Sequence, residues 1–318
     1  VNAPPAPSQL PAGQADDHGA PAGGPVIVSF GEALTDLVTQ GGDRFRALPG
    51  GAGWNVARAC AALGLPSAWA GCLSLDHFGE QLARASAEAG LDTRFIRRVD
   101  APPLLAVVDR LDPPHYFFVG GGAADLQFDA AQLPDGWRRD VRWAHFGGIS
   151  LVREPLGTRL EALAVELHAA GCRISLDPNH RALMRDADLP RLERLIAIAD
   201  AVKVSDEDLR GYFPQHAAEA ALEHLQRLNP NATWLCTRGA GGASLHGPGG
   251  EVHHAPALPV RLVDTVGAGD ASVAGLLLAL SRGEPPARQL RCALANATLA
   301  CEGEGAVAPT LRQLEARW

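Results

Sequence analysis

Lysine is almost missing from this chain: of 28 lysines and arginines, only Lys203 is a lysine. No Gly-x4-Gly-Lys-Ser/Thr loop can therefore exist, which excludes a P-loop nucleotide site. A coding bias toward arginine explains the depletion. Lys203 is then either a chance survivor at a strand end or a compact ammonium that arginine cannot replace. Cysteine pairs with metal spacing are also lacking. The six cysteines (Cys60, Cys72, Cys172, Cys236, Cys292 and Cys301) are scattered without a CxxC, which argues against structural zinc and for a reduced, cytoplasmic protein. The eleven histidines form no HxH or HxxxH pattern and receive no catalytic role. There is no basic block and the net charge is −8, so neither nucleic acid nor an anionic membrane surface is expected as a partner. The longest apolar runs, such as Ala274–Leu280, are too short to cross a bilayer.

The 318 residues, 47% hydrophobic and 20% charged, suffice for one large α/β domain with room for a small lobe. Residues 1–25 are rich in Ala, Pro and Gly and have no periodicity. They read as a disordered tail, and they lack the charged start and apolar core of a signal peptide. From Val26 onward strand-like runs alternate with helix-like ones. Strands are expected at Val26–Phe30, Ala68–Leu73, Trp143–Phe146, Arg173–Leu176, Ala201–Val204, Thr233–Cys236 and Val260–Val263. Helices are expected at Asn55–Leu63, Phe78–Ala89, Pro155–Ala170, Leu189–Ala199, Asp206–Tyr212 and 267–281. This alternation implies a mostly parallel sheet covered on both faces, a three-layer αβα sandwich. Two segments break it, about 34–48 and 93–121. Their strand-like pieces, among them Phe95–Val99, Leu104–Asp109 and Tyr116–Val119, are expected to pair as a small antiparallel lid beside the main sheet.

Asp264-Thr265-Val266-Gly267-Ala268-Gly269-Asp270 carries the most chemistry. A glycine turn feeding a helix leaves backbone N–H groups converging on one point, and the helix dipole adds positive charge there. A carboxylate on the first helical turn can then act as a base beside a bound phosphate, which is what phosphoryl transfer to a hydroxyl requires. The bland alternative is a helix start whose Asp270 only complements the dipole. Pro49-Gly50-Gly51-Ala52-Gly53-Trp54-Asn55 is a second glycine turn entering a helix, with Asn55 able to donate to and accept from a polyol or merely to cap the helix. Asp36, at the lid junction after Gly31-Glu32, could accept two sugar hydroxyls or be a solvated turn residue. Thr237-Arg238-Gly239-Ala240-Gly241-Gly242 suits a nucleotide passing close to the backbone, or a plain hairpin. Ser205-Asp206-Glu207-Asp208 could hold magnesium-associated water or cap its own helix. In Asp177-Pro178-Asn179-His180-Arg181, Asp177 or Arg181 could face the cleft.

Together these segments resemble the ribokinase-like (PfkB) carbohydrate kinases over roughly residues 26–310, and within them the bacterial fructokinases most. Gly50, Gly51, Gly53 and Asn55 match the first signature of that family, and Asp264–Asp270 matches the second without a mismatch. Ala123-Ala124-Asp125 and Ser175-Leu176-Asp177-Pro178-Asn179 also read as fructokinase segments. The resemblance implies phosphorylation of a sugar hydroxymethyl group by ATP and Mg²⁺, with fructose as the expected sugar. Ketodeoxygluconate, ribose and nucleosides are the alternatives, and a non-catalytic sugar-binding protein is a further one. It implies that Asp270 is the base and that the amides of Gly267, Ala268 and Gly269 form the anion hole. Asp36, Gly50, Gly51, Asn55 and Arg181 would bind the sugar. Lys203, Ser205, Thr237, Gly239, Gly242 and Asn296 would bind ATP. Asp208 is the candidate for the magnesium shell, and Asp264, with the Cys301–Ala308 loop, for a K⁺-type monovalent cation. A homodimer through the lid is also implied. Two departures stand out. Asp208 replaces the longer Glu usual in the family, and the lid stretch Tyr116–Gly122 has no Arg, which counts against an acidic sugar.

Overall fold

The computed structural model describes residues 23–111 and 114–317, so the expected tail lies almost wholly outside the described residues. The chain runs β1 (Ile27–Phe30), β2 (Leu34–Thr39), β3 (Phe45–Gly50), α1 (Ala52–Ala62), β4 (Ser67–Ser74), α2 (His77–Glu88), β5 (Ile96–Val99), β6 (Leu105–Leu111) and β7 (Pro114–Val119). It continues with β8 (Trp143–Gly147), α3 (Leu156–Ala169), β9 (Arg173–Asp177), α4 (Leu189–Ile198), β10 (Ala201–Ser205), α5 (Asp206–Tyr212) and α6 (Ala218–Leu228). The last elements are β11 (Thr233–Thr237), β12 (Ala243–His246), β13 (Val252–Ala255), α7 (Ala268–Ser281), α8 (Pro286–Ala300) and α9 (Leu311–Glu315).

Nine strands form the main sheet in the order β13-β12-β11-β10-β9-β8-β1-β4-β5, parallel from β11 to β5 and antiparallel at the β12–β13 edge. Alternate strand residues feed two cores. Val28, Phe30, Phe146, Ile174 and Val202 pack with α3, α4 and α6 on one face. Ile27, Ala201, Leu235 and Leu245 pack with α1, α7 and α8 on the other. Helix α7 is buried from Asp270 to Ala279 because its residues are apolar all round, as suits a helix held between a sheet and other helices. The three-layer αβα architecture is the expected one.

The lid has the strand order β3-β2-β6-β7. It differs from expectation in two respects. Its central pair β2–β6 is parallel, with only the outer pairs antiparallel. The Phe95–Val99 piece supplies β5, an edge strand of the main sheet paired in parallel with β4. Short strand-like runs look alike in sequence whichever sheet they join, because the partner is set by tertiary packing. Val260–Val263 is not a strand either. Val260, Leu262 and Val263 are exposed in an irregular segment leading to the glycine turn. The even-numbered lid residues Leu34, Leu104, Ala106 and Phe118 pack toward Ile149 and Met184 of the body, which turns Asp36 and Tyr116 to the same side.

Candidate active site

The site assembles where the parallel strands end. Gly267, at φ 78°, caps α7 in the left-handed region, and a Cβ there would lie 2.8 Å from Ala306. Only glycine meets both demands. Asp270 follows on the first turn of α7 and is 8% exposed. Asn55, on α1, donates its Nδ2 to Asp270 Oδ2 at 2.9 Å, joining the two glycine-turn helices at their starts. The Asn55 Oδ1 is buried without a partner. Burial pushes the Asp270 carboxyl up to about 7, with Asp177 adding to the rise and Asn55, Lys203 and Arg181 opposing it. A carboxylate poised near neutrality is suited to accept a hydroxyl proton.

The anion turn is narrower than expected. The Ala268 amide donates to Thr265 O at 3.2 Å within the turn. The amides at Gly269 and Asp270 belong to the first helical turn, where the helix itself supplies no acceptor. Asp264 ties this turn to the loop after α8, accepting from Val266 N at 3.1 Å and Gly305 N at 2.9 Å. The structure thus brings together the two segments expected to hold a monovalent cation.

On the sugar side, Asp36 reaches over Gly50, where a Cβ would strike its carboxylate. Burial raises Asp36 to about 6, with Arg181 opposing and Glu32 adding. Gly51, at φ 111°, lets the chain pass the Glu32 carbonyl, which a side chain would strike. Arg181 donates Nη1 to His180 O at 2.7 Å. Burial opposes its charge, but Tyr116, Asp208, Glu32 and Asp270 hold it firmly protonated. It comes from the loop after β9. Asp125 is paired with Arg153 (Nε to Oδ2, 3.0 Å), which also binds Gly120 O at 2.9 Å and anchors the lid's return loop.

The nucleotide expectations fare unevenly. Thr237 and Ser205 are register partners at the ends of β11 and β10. Gly239, at φ 50°, has open space where a Cβ would be. Gly242 instead permits a close strand approach, since a side chain would strike the Ala255 carbonyl. Asn296 is 0% exposed and donates to Ala271 O at 2.8 Å, so it joins α8 to α7 and does not face an open adenine site. Ser205 and Asp208 form a reciprocal capping box on α5. Asp208 also accepts from His180 N at 2.9 Å, so its carboxylate is engaged in holding α5. Lys203 is 6% exposed, with Nζ 3.2 Å from Asp177 Oδ2 and 3.6 Å from Asp208 Oδ2. Its ammonium is turned toward these carboxylates. Among the described residues no group of three His, Cys, Asp or Glu could hold a metal.

Glu32 had no assigned role in the sequence. It is 4% exposed and accepts from Ser150 N at 3.2 Å and Ser150 Oγ at 3.1 Å, linking β1 to the turn after β8. A carboxylate directly after a buried strand was the available signal; its partner, 118 residues away, was not.

The chain is similar to known kinases in sequence and in fold. The fructokinase of Klebsiella pneumoniae is 35% identical over 79% of this chain and 83% of its own length. That of Rhizobium leguminosarum bv. trifolii is 36% identical over 80% of this chain and 79% of its own. The aminoimidazole riboside kinase of Salmonella typhimurium is 32% identical over 80% of each. The structure of fructokinase with bound ATP from Xylella fastidiosa superposes with a TM-score of 0.82 at 30% identity, covering 91% of this chain and 97% of that one. The fructokinase from Vibrio cholerae O395 in its fructose, ADP and calcium ion bound form gives 0.79 at 27% identity, covering 92% and 98%. The family model for pfkB family carbohydrate kinases matches residues 26–313, so the chain belongs to that family and is an ATP-dependent sugar kinase.

Proposed function

We propose that the enzyme transfers the γ-phosphoryl group of ATP to a hydroxymethyl group of fructose, with Asp270 as the base. The observation that carries this reading is the buried Asp270 carboxylate, gripped by Asn55 at 2.9 Å at the mouth of the α7 glycine turn. The sugar hydroxyl would approach Asp270 from the Asp36 side and lose its proton as the new bond to phosphorus forms. The Gly269 and Asp270 amides and the α7 dipole would stabilise charge on the transferring group. Magnesium arriving with the nucleotide would neutralise the phosphates, and the loop fastened by Asp264 is the candidate seat of a monovalent cation.

Fructose is favoured by the relatives at 35% and 36% identity, both fructokinases. Asp36 and Asn55 offer groups that read hydroxyls. Arg181 stands among Glu32, Asp36, Asp208 and Asp270, so its charge is balanced and a neutral sugar suits the site better than ketodeoxygluconate. Aminoimidazole riboside is the second reading, because a kinase for it is 32% identical over 80% of the chain. The test is kcat/KM for fructose, ribose, ketodeoxygluconate and aminoimidazole riboside at one ATP and magnesium concentration. Fructose is expected to lead. A lead of about tenfold, roughly 1.4 kcal/mol, for another acceptor overturns the fructose assignment and leaves the kinase intact.

A further inference from the structure

The sole lysine lies in a buried charge cluster under the anion turn. Asp177 ends β9 and Lys203 lies beside it on β10; both are buried. The ammonium touches both Asp177 oxygens, at 3.2 and 3.4 Å, and lies 3.6 Å from Asp208. It also abuts the glycine turn, since a Cβ at Gly269 would lie 3.2 Å from Nζ. Asp208 has its own donors in Ser205 N at 2.7 Å and His180 N at 2.9 Å. Among the described residues Asp177 has no comparable donor, and its Oδ2 depends on the ammonium. The cluster with Asp270 thus holds three carboxylates against Lys203 and Arg181.

We propose that Asp177 and Lys203 form a positioning pair beneath the α7 turn that sets the proton affinity of Asp270 and thereby the pH range of catalysis. The inference rests on Asp270 being the base. The charges around Asp270 are distributed over several elements. Asp177 and Arg181 come from β9 and the loop after it, Lys203 from β10, and Asp208 from α5. Helix α1 contributes the neutral Asn55 and, beside the turn, Arg58, whose Nη1 reaches Ala306 O at 3.4 Å; on α8 Asn296 binds the carbonyl of the next residue, Ala271. Of these, Asp177 favours the protonated form of Asp270, while Lys203 and Arg181 favour the ionised one. Burial does most to raise the base, and the buried neighbours of opposite sign offset one another; removing either one shifts the base in the direction that its charge opposed. A lysine is required because the ammonium is compact. The planar guanidinium of arginine is larger and would press on the Gly269 backbone. That accounts for a lysine in a chain that otherwise uses arginine.

The signs give the test. In Lys203→Met, the acid limb of kcat/KM for the sugar should move up by about half a unit or more. In Asp177→Asn, it should move down by a comparable amount. In the double variant, with both charges gone, it should return close to the wild-type position. All profiles are measured at the same saturating ATP and magnesium, so the nucleotide's own titration cancels. Circular dichroism on each variant identifies any that fails to fold. Should Lys203→Met fail, the Asp177→Asn and double variants still decide. The inference is overturned if Asp177→Asn leaves the limb unmoved or shifts it upward, or if the double variant keeps the Asp177→Asn shift. Loss of all activity in Asp270→Asn, with these limbs unmoved, would retain the base and remove only the tuning pair.

Discussion

At the scale of single residues, Asp270 carries the chemistry. Asp270→Asn should cut kcat roughly 10²–10⁴-fold while ATP binding, followed by calorimetry, stays near wild type. An unchanged kcat would remove Asp270 as the base. In the wild type, kcat/KM should fall as pH drops through about 7, because protonation disables the base. The same group affects stability with a definite sign. Its folded-state pKa lies above the ordinary carboxylate value, so between about 4 and 7 the folded chain binds the extra proton. Its contribution is therefore favourable at low pH and is lost as pH rises through 7. Asp36 and Asp177, both near 6, act in the same direction. Asp270→Asn removes this penalty, and Asn55 can turn its unpaired Oδ1 toward the new amide. The variant should melt higher than wild type at pH 8 and lose that advantage at pH 4. Thermal scans at the two pH values check it, and a variant that melts lower at pH 8 would show that the carboxylate is not strained there.

At the scale of elements, the start of α7 and the lid are coupled through the loop after α8. That loop is fastened to the glycine turn by Asp264 and by the contact of Ala306 with Gly267. It also bears Glu304, which pairs with Arg46 on β3 of the lid. Arg46 and Asp36 share the body-facing side of the lid, so the ion pair joins the sugar-binding strands to the anion turn. Arg46→Glu should raise the KM for the sugar about threefold or more at low ionic strength, and the exchange Arg46→Glu/Glu304→Arg should restore it. A KM insensitive to both changes would make the pair a bystander. Gly267→Val should lower kcat much more than it raises the sugar KM, because the left-handed φ and the Ala306 contact both oppose a side chain. If only the KM rose, the turn would belong to the sugar pocket. The glycine turn itself was legible in the sequence, since its residue types are those that such a backbone demands. The loop that supports it was legible only as a stretch of chain, because loops after a helix carry no periodic signal.

At the scale of the molecule, the lid leaves an apolar outer face. Phe45, Phe117 and Val119 are exposed, and Leu37 and Val107 lie between them on the same side. A face of this kind seeks cover, and we propose that a second copy of the chain supplies it through the lid. Size-exclusion chromatography with light scattering should give twice the 33.3 kDa chain mass, and Phe117→Asp should return it to one. A wild-type monomer at working concentration would reject the interface.

The sequence by itself determined the layered α/β class, because strand-sized and helix-sized apolar runs alternate with periods set by backbone geometry. It also determined the two glycine turns and Asp270 directly after the second, because local conformation demands those residue types. Only the tertiary structure decided which polar residues face the cleft. Asn296 reads as a nucleotide contact in one dimension, and in the structure it binds Ala271 O; Ser205 and Asp208 read equally as ligand contacts or as a helix cap, and the structure shows the α5 cap. Val260–Val263 has the composition of a strand and no strand to pair with. Asp177 and Lys203 become partners across 26 residues because β9 and β10 lie side by side. Hydrogen bonds and ion pairs act over a few ångströms of space, and chain separation carries no record of them until the sheet order brings the partners together.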